Sequence, residues 1–397
     1  MMYHRKVMGK DLWGQFRGQW LAHPRGAPGF RGVARLGAAI SALLCFGLCL
    51  LLSSCAGLGG PAAGEQEVGY VLFPAPPQEP RIQFLAAYRS DEDVLPPLSG
   101  FRRFVLGDRE GRELGKPYGV AIHDGQILVC DTQARTVVIF DLKAKVIGLL
   151  GAGPNGRLKK PVNIVVDDDG TRYVVDVDLQ RVMVYDRNDR YLRALGDPEA
   201  WSPTDVAISG KRLYVTDRKN VQVVLLEKAT GEELKRFSRL GSGQGELFFP
   251  TNIVVGSDGS VYVSDTGNFR ILKFNSRGKL LQQIGSLGRA TGQFARPKGV
   301  AVDREGRVYV VDAAFQNVQI FDPEGKLLLF FGGGGGGEPG RLSLPAQVAI
   351  DYDNVELFAD RAFAGYEIEY LIAVTSQFGP NKVSVFGFLV PSKRGKN

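Results

Sequence analysis

An all-β fold is expected of this chain, and three observations predict it. A unit recurs six times between Lys116 and Val390, each copy opening on a proline followed by small and aliphatic residues. The prolines are Pro117, Pro161, Pro203, Pro250, Pro297 and Pro345, at spacings of 44, 42, 47, 47 and 48 residues. Within each unit the apolar runs are rich in β-branched and aromatic residues and are bounded by Gly, Asp and Pro, and none reaches the ~10–12 residues a helix needs. A period of ~40–50 residues with several short strands per unit indicates a β-propeller. The sequence therefore predicts a six-bladed β-propeller of four-stranded blades over residues 81–390.

The fifth copy shows the elements most plainly. Residues 299–303 read as the innermost strand, 307–312 as the second, 318–321 as the third and 326–331 as the fourth, with turns at 304–306 and 322–325. The inner run is nearly all small or aliphatic, which suits a strand buried on both faces. The outer runs admit Lys, Gln and Arg, as solvent-facing strands do. A ring must close, or its end blades leave open edges. The last copy has only three strand-like runs, ending near Val383–Phe386. The segment Arg81–Tyr88 has strand composition and precedes the first full blade, so it is expected to supply the missing strand and latch the ring.

The sixth copy is irregular. Elsewhere 14 or 15 residues separate the opening proline from the Asp that ends the second strand; here Ser376, 31 residues after Pro345, is the counterpart. About 16 residues within Asp351–Tyr370 are therefore extra. Asp353 and Asn354 are placed to cap a short helix with Val355, Phe358 and Ala362 on one face. In this alignment Leu371–Thr375 and Lys382–Phe386 pair as second and third strands; the other alignment makes Val355–Asp360 the second strand.

The stretch from second to third strand, Asp265-Thr266-Gly267-Asn268-Phe269-Arg270-Ile271, is echoed by Asp131 with Arg135, Asp176 with Arg181 and Asp312 with Asn317. The loops 241–248 and 288–294, before two of the prolines, repeat a Gly–Gln–Leu/Phe pattern. These residues resemble the NHL-repeat family of six-bladed propellers, over roughly Arg81–Val390. The resemblance implies the fold. It leaves activity open, because the family includes protein-binding scaffolds, RNA-binding scaffolds and a few enzymes. The Asp and Arg markers are expected to be structural, tying adjacent strands and blades by charge-assisted hydrogen bonds.

The N-terminus reads as an address. Residues 37–52 are apolar, Arg31 and Arg35 precede them, and Leu52-Ser53-Ser54-Cys55 follows. A basic start, an apolar core and small residues before a cysteine resemble a bacterial lipoprotein signal over residues 1–54, with a long basic leader, and Cys55 as the lipidated first residue of the mature chain. Translation from Val33 would also give a compact signal. The apolar stretch falls short of the ~20 residues of a transmembrane helix. Residues 55–80, rich in Gly, Ala and Pro, read as a tether, and 391–397 as a basic tail. Ala56 follows the cysteine where the inner-membrane retention signal has Asp, so an outer-membrane lipoprotein facing the periplasm is expected, with surface exposure as the alternative.

Removing the leader changes the meaning of the charge. The whole chain carries +7, but residues 1–54 hold seven Lys or Arg and a single Asp, leaving 42 basic against 41 acidic residues. A near-neutral chain gives no nucleic-acid footprint. Of four cysteines, Cys45 and Cys49 leave with the signal and Cys55 carries lipid. Cys130 remains alone, so no disulfide forms within the mature chain, and a buried thiol is expected. The glycine run 332–337 precedes a strand rather than a helix, so it reads as a loop and not a phosphate cradle.

Candidate chemistry sits at the channel mouth, where the inner strands begin. The second residue after each proline reads Gly119, Asn163, Asp205, Asn252, Gly299 and Gln347. Asn163, Asp205, Asn252 and Gln347 can solvate the channel or bond the strand-start backbone. Such oxygen ligands can also take a hard cation such as calcium, as in the lactonase-like propeller enzymes this register resembles. With one carboxylate the set is thin, and no cofactor is expected. His123 is the sole histidine after residue 54 and reads as a turn residue, too little for a multi-histidine zinc site. No C-x-x-C-H haem motif and no G-x-S-x-G elbow occurs. The expected function is a monomeric, membrane-anchored scaffold binding an envelope protein or glycan on one propeller face, with no nucleic-acid partner; a cation-dependent, lactonase-like hydrolase or a small-ligand binder at the channel is the alternative.

Overall fold

The computed structural model describes residues 69–97, 111–335 and 337–392. Cys55, the apolar stretch 37–52, most of the tether and residues 393–397 of the tail lie outside the described residues. Two strands come first, β1 (Leu72–Phe73) and β2 (Ile82–Tyr88). Blade one is β3 (Pro117–His123), β4 (Gln126–Asp131), β5 (Thr136–Asp141) and β6 (Val146–Leu150). Blade two is β7 (Pro161–Val166), β8 (Arg172–Asp176), β9 (Arg181–Tyr185) and β10 (Tyr191–Leu195). Blade three is β11 (Pro203–Ser209), β12 (Arg212–Asp217), β13 (Gln222–Glu227) and β14 (Glu233–Phe237). Blade four is β15 (Pro250–Val255), β16 (Val261–Asp265), β17 (Arg270–Phe274) and β18 (Leu280–Ile284). Blade five is β19 (Pro297–Val302), β20 (Val308–Asp312), β21 (Asn317–Phe321) and β22 (Leu327–Gly332). Blade six brings β23 (Pro345–Asp351), β24 (Tyr366–Ser376) and β25 (Val383–Pro391). Each sheet is antiparallel, and every repeat proline opens an inner strand.

The latch forms as expected. β2 pairs antiparallel with β25, from Ile82 opposite Phe388 to Tyr88 opposite Val383. Blade six thus has its fourth strand from the other end of the chain. It also gains a fifth: β1 pairs with β2 inside the stretch read as an unstructured tether. The cause is local apolarity. Leu72 is buried, and the Phe73 ring packs against Phe331 and Phe386.

The extra segment of blade six differs from the expected helix. Two 3₁₀ turns form, Val355–Leu357 and Ala359–Arg361. Asn354 makes no side-chain cap. Its amide is committed elsewhere, Oδ1 accepting the Gly125 N–H of blade one and Nδ2 donating to Asp351. The expected apolar face nevertheless packs: Phe358 is buried, and Val355 and Ala362 join the same cluster. Ser376 lies opposite Pro345, as Asp131 lies opposite Pro117, so the preferred strand alignment is the one that forms.

The core is divided into slices. Each of the six seams between neighbouring blades holds its own apolar cluster, for example Val175, Trp201 and Val215 between blades two and three and Tyr309, Phe331 and Phe386 between five and six. Burial of these β-branched and aromatic side chains supplies the main drive to close the ring. Cys130 is a buried free thiol in the seam between blades one and two, its pKa pushed up by burial. Among the described residues no helix is long and apolar enough to cross a membrane.

Candidate functional site

The marker aspartates set the mouth face, the face on which inner strands begin. Asp131 accepts N–H bonds from Gly115 and Lys116 before its own inner strand and from Gln133 and Ala134 in the turn after it. Asp176 and Asp312 do the same in blades two and five. Asp265 takes Phe248 and Phe249 N–H and also pairs with Arg270 at 3.3 Å. Each carboxylate therefore staples the incoming loop to the turn of the same blade. The blade-to-blade ties expected of these residues are not what they make. Ser376 is a weaker version in blade six, its hydroxyl accepting the Ser343 N–H at 3.2 Å.

Three of the four channel-mouth candidates meet. Asn163, Asp205 and Asn252, from blades two, three and four, form a continuous buried string. Asp205 Oδ1 accepts from Asn163 Nδ2 and from Val206 N–H at 2.6 Å. Its Oδ2 accepts from Ile253 N–H at 2.9 Å and Asn252 Nδ2 at 3.3 Å. Burial pushes the Asp205 pKa up to about 7, against the pull of these four donors. Gln347 stands apart on blade six and folds back on Val348 N–H. Gly119 and Gly299 are glycines for a steric reason: a Cβ at either would overlap the side-chain oxygen of Asn163 or Gln347. Below the string runs a channel cavity of about 280 Å³, lined by residues such as Ile164, Val206, Ile253 and Val300.

This arrangement is a poor cation site. Both Asp205 oxygens are already satisfied, Asn163 Oδ1 accepts Ile164 N–H, and a hard cation wants several free oxygens. Among the described residues no group of three or more His, Cys, Asp or Glu side chains converges as metal ligands would. Asn252 Oδ1 is buried without a protein partner, room for one donor rather than a coordination shell. His123 ends the first inner strand beside the Asp124–Gly125 turn.

Two features of the same face escaped the sequence reading. Lys298, directly after Pro297 in blade five, reaches Tyr118 of blade one, with Nζ 2.8 Å from the phenol oxygen and over its ring. The pattern lay one position before the register considered. Farther out, the loops before blades four and five expose apolar groups. Leu240 and Leu287 are each 62% exposed, Phe248 56% and Phe249 41%. Leu240 pairs with Leu247 and Leu287 with Phe294 in matching short parallel bridges, so the two loops share one shape. Arg218 lies over the Phe249 ring, and Gly267 leaves space where Phe248 packs.

Residues 249–274 match the sequence profile of the NHL repeat. Curated proteins gave no match by sequence. Among solved structures, the fold is similar to a structural genomics protein of unknown function from Bacteroides thetaiotaomicron, with 17% identity, a TM-score of 0.53, and 78% of this chain and 76% of that one covered. It is also similar to a gluconolactonase from Xanthomonas campestris, with 16% identity, a TM-score of 0.51, and 69% and 86% covered. A calcium-binding regucalcin from Agrobacterium tumefaciens gives 12% identity, a TM-score of 0.50, and 70% and 92% covered. At these identities the likeness is one of fold.

Proposed function

We propose that this chain, a six-bladed propeller of NHL-repeat type, is a binding scaffold that docks an envelope protein on its mouth face. The observation that carries the reading is the exposed set Leu240, Phe248, Phe249 and Leu287 with Arg218 beside it. Exposed apolar groups gathered on two like-shaped loops suit an interaction surface, and aromatic residues with Arg are the types enriched in protein interfaces. The loops are rigidly mounted, since Asp265 pins Phe248 and Phe249 by their backbone. A glycan partner would want more exposed hydroxyl and amide groups than this apolar set offers. The hydrolase reading is supported by fold alone, and Asp205 has no free oxygen to hold a cation.

A lipid anchor at Cys55 would hold this scaffold at the outer membrane, facing the periplasm. Two or three acyl chains would hold it, where a single one binds only reversibly. Cys55→Ser should yield soluble exported protein or an unprocessed precursor; membrane retention after correct signal cleavage would refute the anchor. Docking is tested by a photo-crosslinking residue placed at Phe249 in cells. A discrete adduct is expected there and not from Glu324, in the turn between the third and fourth strands of blade five.

A further inference from the structure

A second feature of the mouth face has different chemistry. A cavity of about 700 Å³ opens between blades one and two, and Arg112, Arg135, Arg157 and Lys159 line it, with Asp178 the one carboxylate. Among the described residues none of these four cationic side chains has a hydrogen-bond or ion-pair partner. We infer that this cavity binds a phosphate-bearing ligand.

The cations are brought together by construction. Arg157 and Lys159 flank Leu158, which is buried as a plug in the seam between the two blades. The loop bends back at Gly151 and Gly156, both at positive φ, and a Cβ at Gly151 would run into Leu158. Tyr185 donates to the Gly156 carbonyl, and Asp176 holds the Lys159 and Lys160 N–H groups. Arg135 sits in the turn after β4 at φ 60, its N–H bonded to the Asp131 carbonyl. Arg112 comes from the segment entering blade one, where its backbone N–H is held by Asp91. Side chains from three separate segments thus converge with like charge, and among the described residues Asp178 is the one carboxylate in the lining.

Like charges so placed repel in the empty state and are relieved by an anion. Guanidinium groups suit phosphate because their fixed fork matches its oxygens two at a time. The volume exceeds that of a lone phosphate and leaves room for the group that carries it. A lipid headgroup and a soluble phosphate share this chemistry. The site does not depend on the docking surface, which lies on the loops before blades four and five.

The test is calorimetric titration of the purified full chain with inorganic pyrophosphate at low salt. The comparison is Arg135→Gln combined with Arg157→Gln, both exposed, with thermal melting as the check on folding. Binding is expected, weakening with added salt and falling about tenfold for each lost guanidinium. Phosphatidylglycerol vesicles form the second arm. Vesicle binding that pyrophosphate displaces assigns the phosphate to a lipid, and pyrophosphate binding without vesicle binding assigns it to a soluble ligand. No binding of pyrophosphate by the parent chain, or equal binding by a folded double variant, would overturn the inference.

Discussion

Asp205 at the channel mouth and Phe249 in the loop before blade four lie on the same face of the ring, and the fold treats them differently. Asp205 is buried and receives four N–H donors from three blades. Phe249 is fixed through its backbone by Asp265, yet its ring stays exposed beside one guanidinium. At the centre the polar groups are used to hold blades together. On the rim they are used to hold loops, and the side chains of those loops are left for something else. The contrast is the ground on which docking is proposed for the rim, because recognition needs groups whose bonding is not already complete.

The largest effect should follow from breaking the ring that separates centre from rim. Deleting Ile82–Tyr88 uncovers the β25 edge from Val383 to Phe388. An unpaired edge of this kind recruits other chains. Aggregation or loss of the folded state is expected in light scattering and circular dichroism; a monomer that melts like the parent would show that blade six closes without β2.

Next comes the anchor of the rim loops. Asp265→Ala frees Phe248 and Phe249 N–H and leaves Arg270, itself buried, without its carboxylate. Removing one partner of a buried pair costs about 3–5 kcal/mol. Urea unfolding should show a loss of that order. A loss under ~1 kcal/mol, the net worth of one ordinary hydrogen bond, would mean the loop is held by its apolar plugs alone.

Much of this was legible before any coordinates. The proline-to-aspartate spacing marked the inner and second strands of five blades, and the shortage of strands after Val383 pointed to Arg81–Tyr88 as the latch. Local chemistry sufficed there, since each strand reads from its own residues. The short helix at 353–362 failed because Asn354 is drawn to Gly125 in blade one, a partner 229 positions away. The fifth strand was hidden by the prolines around Leu72 and Phe73. Asn163, Asp205 and Asn252 were found in the sequence because they share a register. The rim was not, because the exposure of Phe248 has no periodic signature and Arg112 joins Arg157 only through the fold.

A smaller effect concerns pH at the centre. Burial raises the Asp205 pKa in the folded chain to about 7, above the ordinary carboxylate range, so the folded state holds the proton more tightly. Its contribution to stability is fully present below the unfolded pKa and is lost as pH rises through about 7. Stability of the parent should therefore decline across that window, and Asp205→Asn, which carries no charge, should flatten the decline. An unchanged slope in the variant would mean that the four donors keep Asp205 ionised and that the dependence arises elsewhere.

The smallest effect on stability should accompany the largest effect on function. Phe248→Ser with Phe249→Ser alters exposed rings and should leave the unfolding free energy within about 0.5 kcal/mol of the parent for each site. The decisive measurement is the yield of the adduct formed in cells by a photo-crosslinking residue at Leu240, with and without that double substitution. A discrete protein adduct in the parent, lost in the folded double variant and never formed from Glu324, is the predicted result. No adduct from Leu240, or one that persists undiminished when both rings are gone, would contradict a docking function for the mouth face.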